Sequence, residues 1–314
     1  MTKIIAVTGA TGAQGGGLVR AILDDPAGSF TARAITRDPD SDAARALSSE
    51  GVEIVQADLD DQASLTDAFA GAHGAFCVTN FWEHFSPERE KAQAGNLARA
   101  ASTAGVAHAI WSTLEDVRTY VPVGDDRMPT VMHNYKVPHC DAKGEANRFF
   151  RQAGVPTTYL YTSFYWDNMI SFGMGPTRDP DGTLTITLPL ADAKLPSIAA
   201  HDIGGCAYGI FREGQQWIGR SVGIAGGHLT GADLASGLAN ALGQEVRYNA
   251  ISPAAYRALA FPGADELGNM FQFNTEFATE YCAARDLDTS HRLNPRLTSY
   301  TQWLEHNAAR IRTG

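Results

Sequence analysis

The chain has 314 residues, 44% hydrophobic and 19% charged, an ordinary globular composition with ample core material. Its formal net charge of −10 repels nucleic acid, and no local basic patch offsets it, which argues against direct nucleic-acid binding. Cys77, Cys140, Cys206 and Cys282 stand far apart with no C-x-x-C pair, against a disulfide framework or a metal centre, and no signal peptide or membrane-length apolar run is present. The expectation is a cytoplasmic protein with no membrane partner and no metal.

Ile4 to Val7 reads as a short buried strand. The stretch Thr8-Gly9-Ala10-Thr11-Gly12-Ala13-Gln14-Gly15 follows, and Leu18, Val19, Ile22 and Leu23 then recur at helical spacing. Gly9 allows a tight exit from the strand, Gly12 lets a pyrophosphate approach the backbone, and Gly15 lets the helix pack closely on the strand. The helix amino terminus offers unpaired N–H groups to phosphate. Glycines alone are a weak signal. Their place between a strand and a helix is what makes Gly9, Thr11, Gly12, Ala13, Gln14 and Gly15 a candidate dinucleotide turn.

Phe30 to Thr36 reads as the second strand. It ends in Arg37 and then Asp38. An acidic residue at this place would read the ribose 2′-hydroxyl of NAD, whereas arginine reads the 2′-phosphate of NADP. Arg37 therefore points to NADP(H). The third strand, Val52 to Ala57, ends in Asp58 and Leu59, placed to contact adenine. Asp60 or Asp61 is the expected cap of a helix over Gln62 to Phe69, and capping is an equally good use of Asp58. Ala75 to Thr79 reads as the fourth strand, followed by a helix over Pro87 to Ala104; Ala107 to Ser112 reads as the fifth strand. Thr79 and Asn80 join the cofactor set because ligands of such sheets sit at the carboxyl ends of the strands.

Thr113 to Asn134 is a long insertion broken by Pro122, Gly124 and Pro129, either a lid or a surface excursion. A helix is expected over Tyr135 to Ala153 and a sixth strand over Thr157 to Tyr161. Alternation of this kind builds a parallel sheet covered on both faces, a Rossmann-type doubly wound α/β fold. The expected division is a nucleotide-binding domain over residues 1–160 and a smaller mixed α/β domain over 161–314, interleaved with the sheet. In that second half, strands are expected at Thr183 to Leu188, Ser221 to Ala225 and Val246 to Ala250. Helices are expected at Thr230 to Leu242, Pro253 to Ala260, Glu266 to Ala284 and Arg296 to Ile311. Asp202 is expected to cap a helix of its own.

Reductases of this build use a tyrosine and a lysine one helical turn apart, with a serine or threonine after the fifth strand. Ser112 and Thr113 stand in the second place, and Lys143 is a suitable lysine. Four residues before it stands His139, not tyrosine; Tyr135 is two turns away. Histidine can serve as a general acid near neutral pH, though a lone helical histidine is more often structural. Thr162-Ser163-Phe164-Tyr165-Trp166-Asp167-Asn168 follows the sixth strand, where nicotinamide and substrate would meet. Tyr165 and Asn168 are therefore candidate cofactor contacts.

These motifs together resemble the NmrA-like family of atypical short-chain dehydrogenases/reductases. The resemblance rests on the glycine turn, Thr36-Arg37-Asp38, Ser112 to Val117, and Asp141-Ala142-Lys143-Gly144-Glu145 leading into Phe149-Phe150 and Gly154-Val155-Pro156. It implies an NADP(H)-binding Rossmann domain and a small carboxyl-terminal domain. The family includes regulators that bind nucleotide and a protein partner without evident catalysis, and NADPH-dependent reductases of small carbonyl, quinone or imine-type substrates. The missing tyrosine before Lys143 favours the redox-responsive regulator by a small margin.

Overall fold

Residues 2–313 are described in a computed structural model. Strand β1 (Lys3–Val7) leads into α1 (Ala13–Leu23), followed by β2 (Phe30–Thr36), α2 (Asp42–Ser49), β3 (Glu53–Gln56), α3 (Gln62–Phe69), β4 (Gly74–Cys77) and α4 (Pro87–Thr103). Then come β5 (His108–Thr113), α5 (Pro138–Ala153) and β6 (Thr157–Tyr161). The second half holds β7 (Phe164–Tyr165), α6 (Asn168–Ser171), β8 (Thr177–Arg178), β9 (Leu184–Leu188), β10 (Leu195–Ile198), α7 (Ala200–Glu213), β11 (Ser221–Gly223) and β12 (Gly227–Leu229). It ends in α8 (Gly231–Leu242), β13 (Val246–Ala250), α9 (Pro253–Arg257), α10 (Ala264–Glu276), α11 (Ala278–Ala283), α12 (Leu287–Leu293) and α13 (Tyr300–Asn307).

The main sheet is seven-stranded and parallel in the order β11-β6-β5-β4-β1-β2-β3, so the strand order reverses between β1 and β4. This is the expected Rossmann-type doubly wound arrangement. Side chains alternate across the strands. Ile5, Val7 and Ile110 pack with α1 and α7 on one face, while Ala6, Ala109 and Trp111 pack with α3, α4 and α5 on the other. Two three-stranded sheets, β12-β10-β7 and β13-β9-β8, form the smaller part. Its core gathers Trp166, then Leu184, Ile186 and Leu188 of β9, and Phe271 and Trp303 from the closing helices. Among the described residues no helix is long and apolar enough to cross a membrane.

Several boundaries differ from expectation for local reasons. Helix α5 begins at Pro138, not Tyr135, because a residue before proline is pushed into extended backbone. Tyr135 instead forms a bridge with Val131. The helix expected from Glu266 to Ala284 is two helices, α10 and α11, broken at Phe277. The last helix starts only at Tyr300, where Ser299 and Gln302 form a capping box. Asp61, accepting from the Ala63 N–H at 2.9 Å, caps α3. Asp202 does not cap α7; Ala199 stands there, and the Asp202 carboxylate accepts from Asn294 Nδ2 at 3.0 Å and the Thr298 N–H at 2.8 Å. The insertion after β5 is packed down rather than free. The buried Lys136 ammonium donates to the carbonyls of Asp125 (2.8 Å) and Met128 (2.6 Å), and Val117, Val121 and Met128 pack with Phe273 and Tyr281.

Helices α1 and α7 cross backbone to backbone. A Cβ on Gly204 would lie 2.0 Å from the Leu18 nitrogen, and one on Gly17 would lie 2.1 Å from the His201 oxygen. Gly204→Ala should force the helices apart and lower stability by about 1–3 kcal/mol, read as a lower urea midpoint at unchanged slope. An unchanged midpoint would show that the crossing yields easily.

Candidate functional site

The cleft lies at the carboxyl ends of the strands, beside the β1/β4 reversal, and encloses about 510 Å³. Its wall includes Gly9, Thr11, Gly12, Ala13, Gln14, Gly15, Arg37, Asp58, Leu59, Thr79, Asn80 and Tyr165. The structure thus gathers twelve of the expected cofactor residues around one cavity. Lys143 and Asn168 are not part of that wall. A roomier cavity of about 650 Å³, bordered by Lys3, Phe30, His73 and His108, lies at the opposite ends of the strands, away from the glycine turn.

The turn has the backbone that the glycines were expected to supply. Gly9 adopts φ +60°, and a Cβ on Gly15 would sit 2.4 Å from the Gly9 oxygen. Gly12 precedes α1, whose first turn has no side-chain cap and no acidic residue. Its leading N–H groups face the cleft without a competing carboxylate, as an anion site requires.

At the outer end, the Arg37 guanidinium pairs with Glu83, which also lines the cleft. Gln56 Nε2 donates to the Arg37 carbonyl at 3.0 Å and steadies the strand end. Asp58 accepts from the Asp60 N–H at 2.9 Å, so one of its oxygens shapes the local turn. At the inner end, the Ser112 hydroxyl donates to Gln14 Oε1 at 2.7 Å, and Gln14 Nε2 donates to the Tyr165 oxygen at 2.8 Å. The Tyr165 oxygen is also 3.3 Å from Thr162 Oγ1. Burial pushes the Tyr165 phenol up to about 12, against the opposing bond from Thr162.

Lys143 is fastened from several sides. Its ammonium donates to Thr79 Oγ1 at 2.7 Å and the Thr79 carbonyl at 3.1 Å, pairs with Glu90 Oε1 at 2.8 Å, and lies 5.0 Å over the Trp111 ring. Burial opposes charge on Glu90, yet Lys143, His84 and Thr79 together hold its carboxyl down at about 2. Thr113 braces β5 to α5: its hydroxyl lies 2.8 Å from Asn147 Oδ1 and 3.1 Å from the Lys143 carbonyl, fully buried.

His139 is not part of the cleft wall. Glu266, from α10, accepts from both His139 Nδ1 and the His139 backbone N–H, each at 2.6 Å. His139 Nε2 is 3.3 Å from the Cys140 sulfur, and the Trp82 ring stands 5.0 Å away. Tyr135, off the helix, bonds Lys91 at 2.9 Å and Glu88 at 3.1 Å. Asn168 begins α6, where its carbonyl accepts from Phe172 and Met174. Sequence reading missed Glu83, Glu90, Glu266 and Trp82. The carboxylates meet partners 46, 53 and 127 positions away, a distance at which local spacing carries no signal. Among the described residues no cluster of His, Cys, Asp and Glu is arranged to hold a metal ion.

The model of the NmrA-like family matches residues 1–306. The NmrA-like family domain-containing oxidoreductase lnbB of Aspergillus flavus is 32% identical over 263 residues, which cover 78% of this chain and 75% of its own. The similarly described oxidoreductase FrzB of Cladobotryum sp is 30% identical over 318 residues, covering 93% of this chain and 90% of its own. Among solved structures, the negative transcriptional regulator NmrA in complex with NADP matches with a TM-score of 0.75 at 25% identity, over 98% of this chain and 94% of that one.

Glu90→Gln should strand the buried Lys143 ammonium without a counter-charge and cost about 3–5 kcal/mol of stability. The folded carboxyl sits at about 2, below the ~4.3 of an unfolded glutamate. Its stabilising share is therefore complete above pH ~4.3 and is lost as pH falls toward 2. Urea titrations across that window should show the wild-type advantage over the Gln variant shrinking as pH drops; a constant gap would contradict this.

Proposed function

Because the chain belongs to the NmrA-like family, we propose that it is an NADPH-dependent reductase of a small organic substrate of carbonyl, quinone or imine type. The observation that carries this reading is the Ser112–Gln14–Tyr165 chain, which closes the inner end of the cleft with fixed hydrogen-bonding groups where a nicotinamide and an acceptor would meet. The relatives described as oxidoreductases support it.

On this reading the turn from Gly9 to Gly15 and the first turn of α1 hold the pyrophosphate. Asp58 and Leu59 border the adenine, and Arg37 exchanges Glu83 for the 2′-phosphate. Thr79, Asn80 and Lys143 serve the nicotinamide ribose, Lys143 through the Thr79 carbonyl and hydroxyl it fixes. NADPH supplies the hydride; Tyr165, Gln14 and Ser112 orient the ring and the acceptor.

A second reading is a nucleotide-responsive regulator. The observation that favours it is His139, which occupies the position of the expected tyrosine but is bound to Glu266 and is not part of the cleft wall. The readings separate on turnover. NADPH oxidation should be seen with at least one member of a carbonyl, quinone and imine panel; tight NADPH binding without oxidation across it would favour the regulator.

Arg37→Ala should weaken NADPH about ten- to a hundredfold, the worth of roughly 1.5–3 kcal/mol for a charge-assisted bond. NADH affinity should hardly change. Equal loss for both nucleotides, by calorimetry, would remove Arg37 from 2′-phosphate recognition. His139→Ala should lower stability yet reduce turnover less than about tenfold, since a general acid would cost roughly 10²- to 10⁴-fold. A larger collapse of turnover in a folded variant would restore His139 as proton donor.

A further inference from the structure

The outer end of the cleft is poor in positive charge for a place that reads a phosphate. Among the described residues the cleft wall holds four charged side chains, Arg37, Asp38, Asp58 and Glu83, one cation against three carboxylates. A second arginine nearby, Arg89, is already committed: its guanidinium holds Asp60 through Nη2 at 2.5 Å and Nε at 3.1 Å. Recognition of a 2′-phosphate in this corner therefore falls to Arg37, whose backbone carbonyl is fixed by Gln56 at 3.0 Å.

Arg37 is not free either. Its Nη1 donates to Glu83 Oε1, the one side-chain hydrogen bond of either residue among the described residues. The pair is exposed, 57% at Arg37 and 42% at Glu83. Solvent screens such a pair, and holding two long side chains in one geometry costs entropy, so it adds little to the stability of the fold. It does change what the guanidinium offers a ligand. A phosphate that takes Arg37 has to displace a carboxylate already there.

The displaced carboxylate cannot go far. Glu83 ends the one-turn helix Phe81–Glu83 that follows β4, and its N–H donates to the Asn80 carbonyl at 3.2 Å. Both flanks are anchored. Phe81 is buried, and His84 stands 3.3 Å from the buried Glu90 while its Nδ1 accepts from the Ser86 N–H at 3.1 Å. The Glu83 side chain can turn off Arg37, but its backbone keeps it at the rim of the cleft. A 2′-phosphate seated on Arg37 then faces a like charge. A 2′-hydroxyl is uncharged, meets no such repulsion, and can donate to a carboxylate.

Resting on the placement of the 2′-phosphate given above, we infer that Glu83 sets the nucleotide preference as a resident competitor for Arg37. Arg37 reads the phosphate; Glu83 decides how strongly. It holds NADPH affinity below what the arginine alone would give and leaves NADH nearly untouched, so the two nucleotides stand closer in affinity than Arg37 by itself implies.

Calorimetry of the full chain with NADPH and NADH tests this. Glu83→Gln keeps the length of the side chain and removes its charge, at an exposed position with no second partner to lose. It should tighten NADPH about three- to thirtyfold while NADH changes less than about twofold. The gain should shrink as salt is added. In the Arg37→Ala background the gain from Glu83→Gln should be at least about threefold smaller, because no arginine is left to compete for. Unchanged NADPH affinity, equal tightening of both nucleotides, or the same gain with and without Arg37 would overturn the assignment of Glu83 and leave the nucleotide site standing. Absence of NADPH and NADH binding in both the wild type and Glu83→Gln would overturn both.

Discussion

The architecture depends on how closely α1 is held. On one side it meets the Gly9 carbonyl through Gly15; on the other it meets α7 through Gly17 and Gly204. Backbone touches backbone at each contact, so a side chain at any of these places would displace the helix. That confinement aims the uncapped amino end of α1 into the cleft at the point where the strand order reverses. Any anion affinity of this helix end is thus a consequence of packing. Its partial positive charge comes from aligned peptide groups that cannot turn elsewhere.

Buried ion pairs then fix the inner end. Lys143–Glu90 ties α5 to α4 under the Thr79 carbonyl. Arg285, itself fully buried, holds Glu115 through two bonds of 2.7 and 2.9 Å and donates to the Thr162 carbonyl. Its guanidinium lies 3.6 Å over the Tyr281 ring. One pair holds α5 against α4 and the segment after β4, the other the turn that carries Tyr165. Such pairs return little net stability once desolvation is counted. Their value here is positional: each removes a degree of freedom from a segment that borders the cleft.

The fold was legible because it is written in periods of two and 3.6 residues and in a glycine turn bracketed by a strand and a helix. The wall of the cleft was legible for the same reason, since a parallel sheet delivers its strand ends to one place. Gly9 to Gly15, Arg37, Asp58 and Thr79 could be named from their order along the chain. The helix boundary at Pro138 was also written in the sequence, but the run from Tyr135 hid it. Orientation across elements was not legible. Whether His139 faces the cleft depends on Glu266, which a different part of the chain brings to it. Glu90 looks like an ordinary exposed residue of α4 until Lys143 is seen beside it.

The site also separates two roles that a tyrosine–lysine pair on one helix would join. In that arrangement the lysine both holds the ribose and lowers the tyrosine pKa. Here Lys143 is on α5, neutralised by Glu90, while the cleft phenol is on β7 and bonded to an amide. A cation locked to a carboxylate has little field left for a distant phenol. Lys143 is therefore left as a fixed point for Thr79 and the strand end, and Tyr165 as a hydroxyl that keeps its proton.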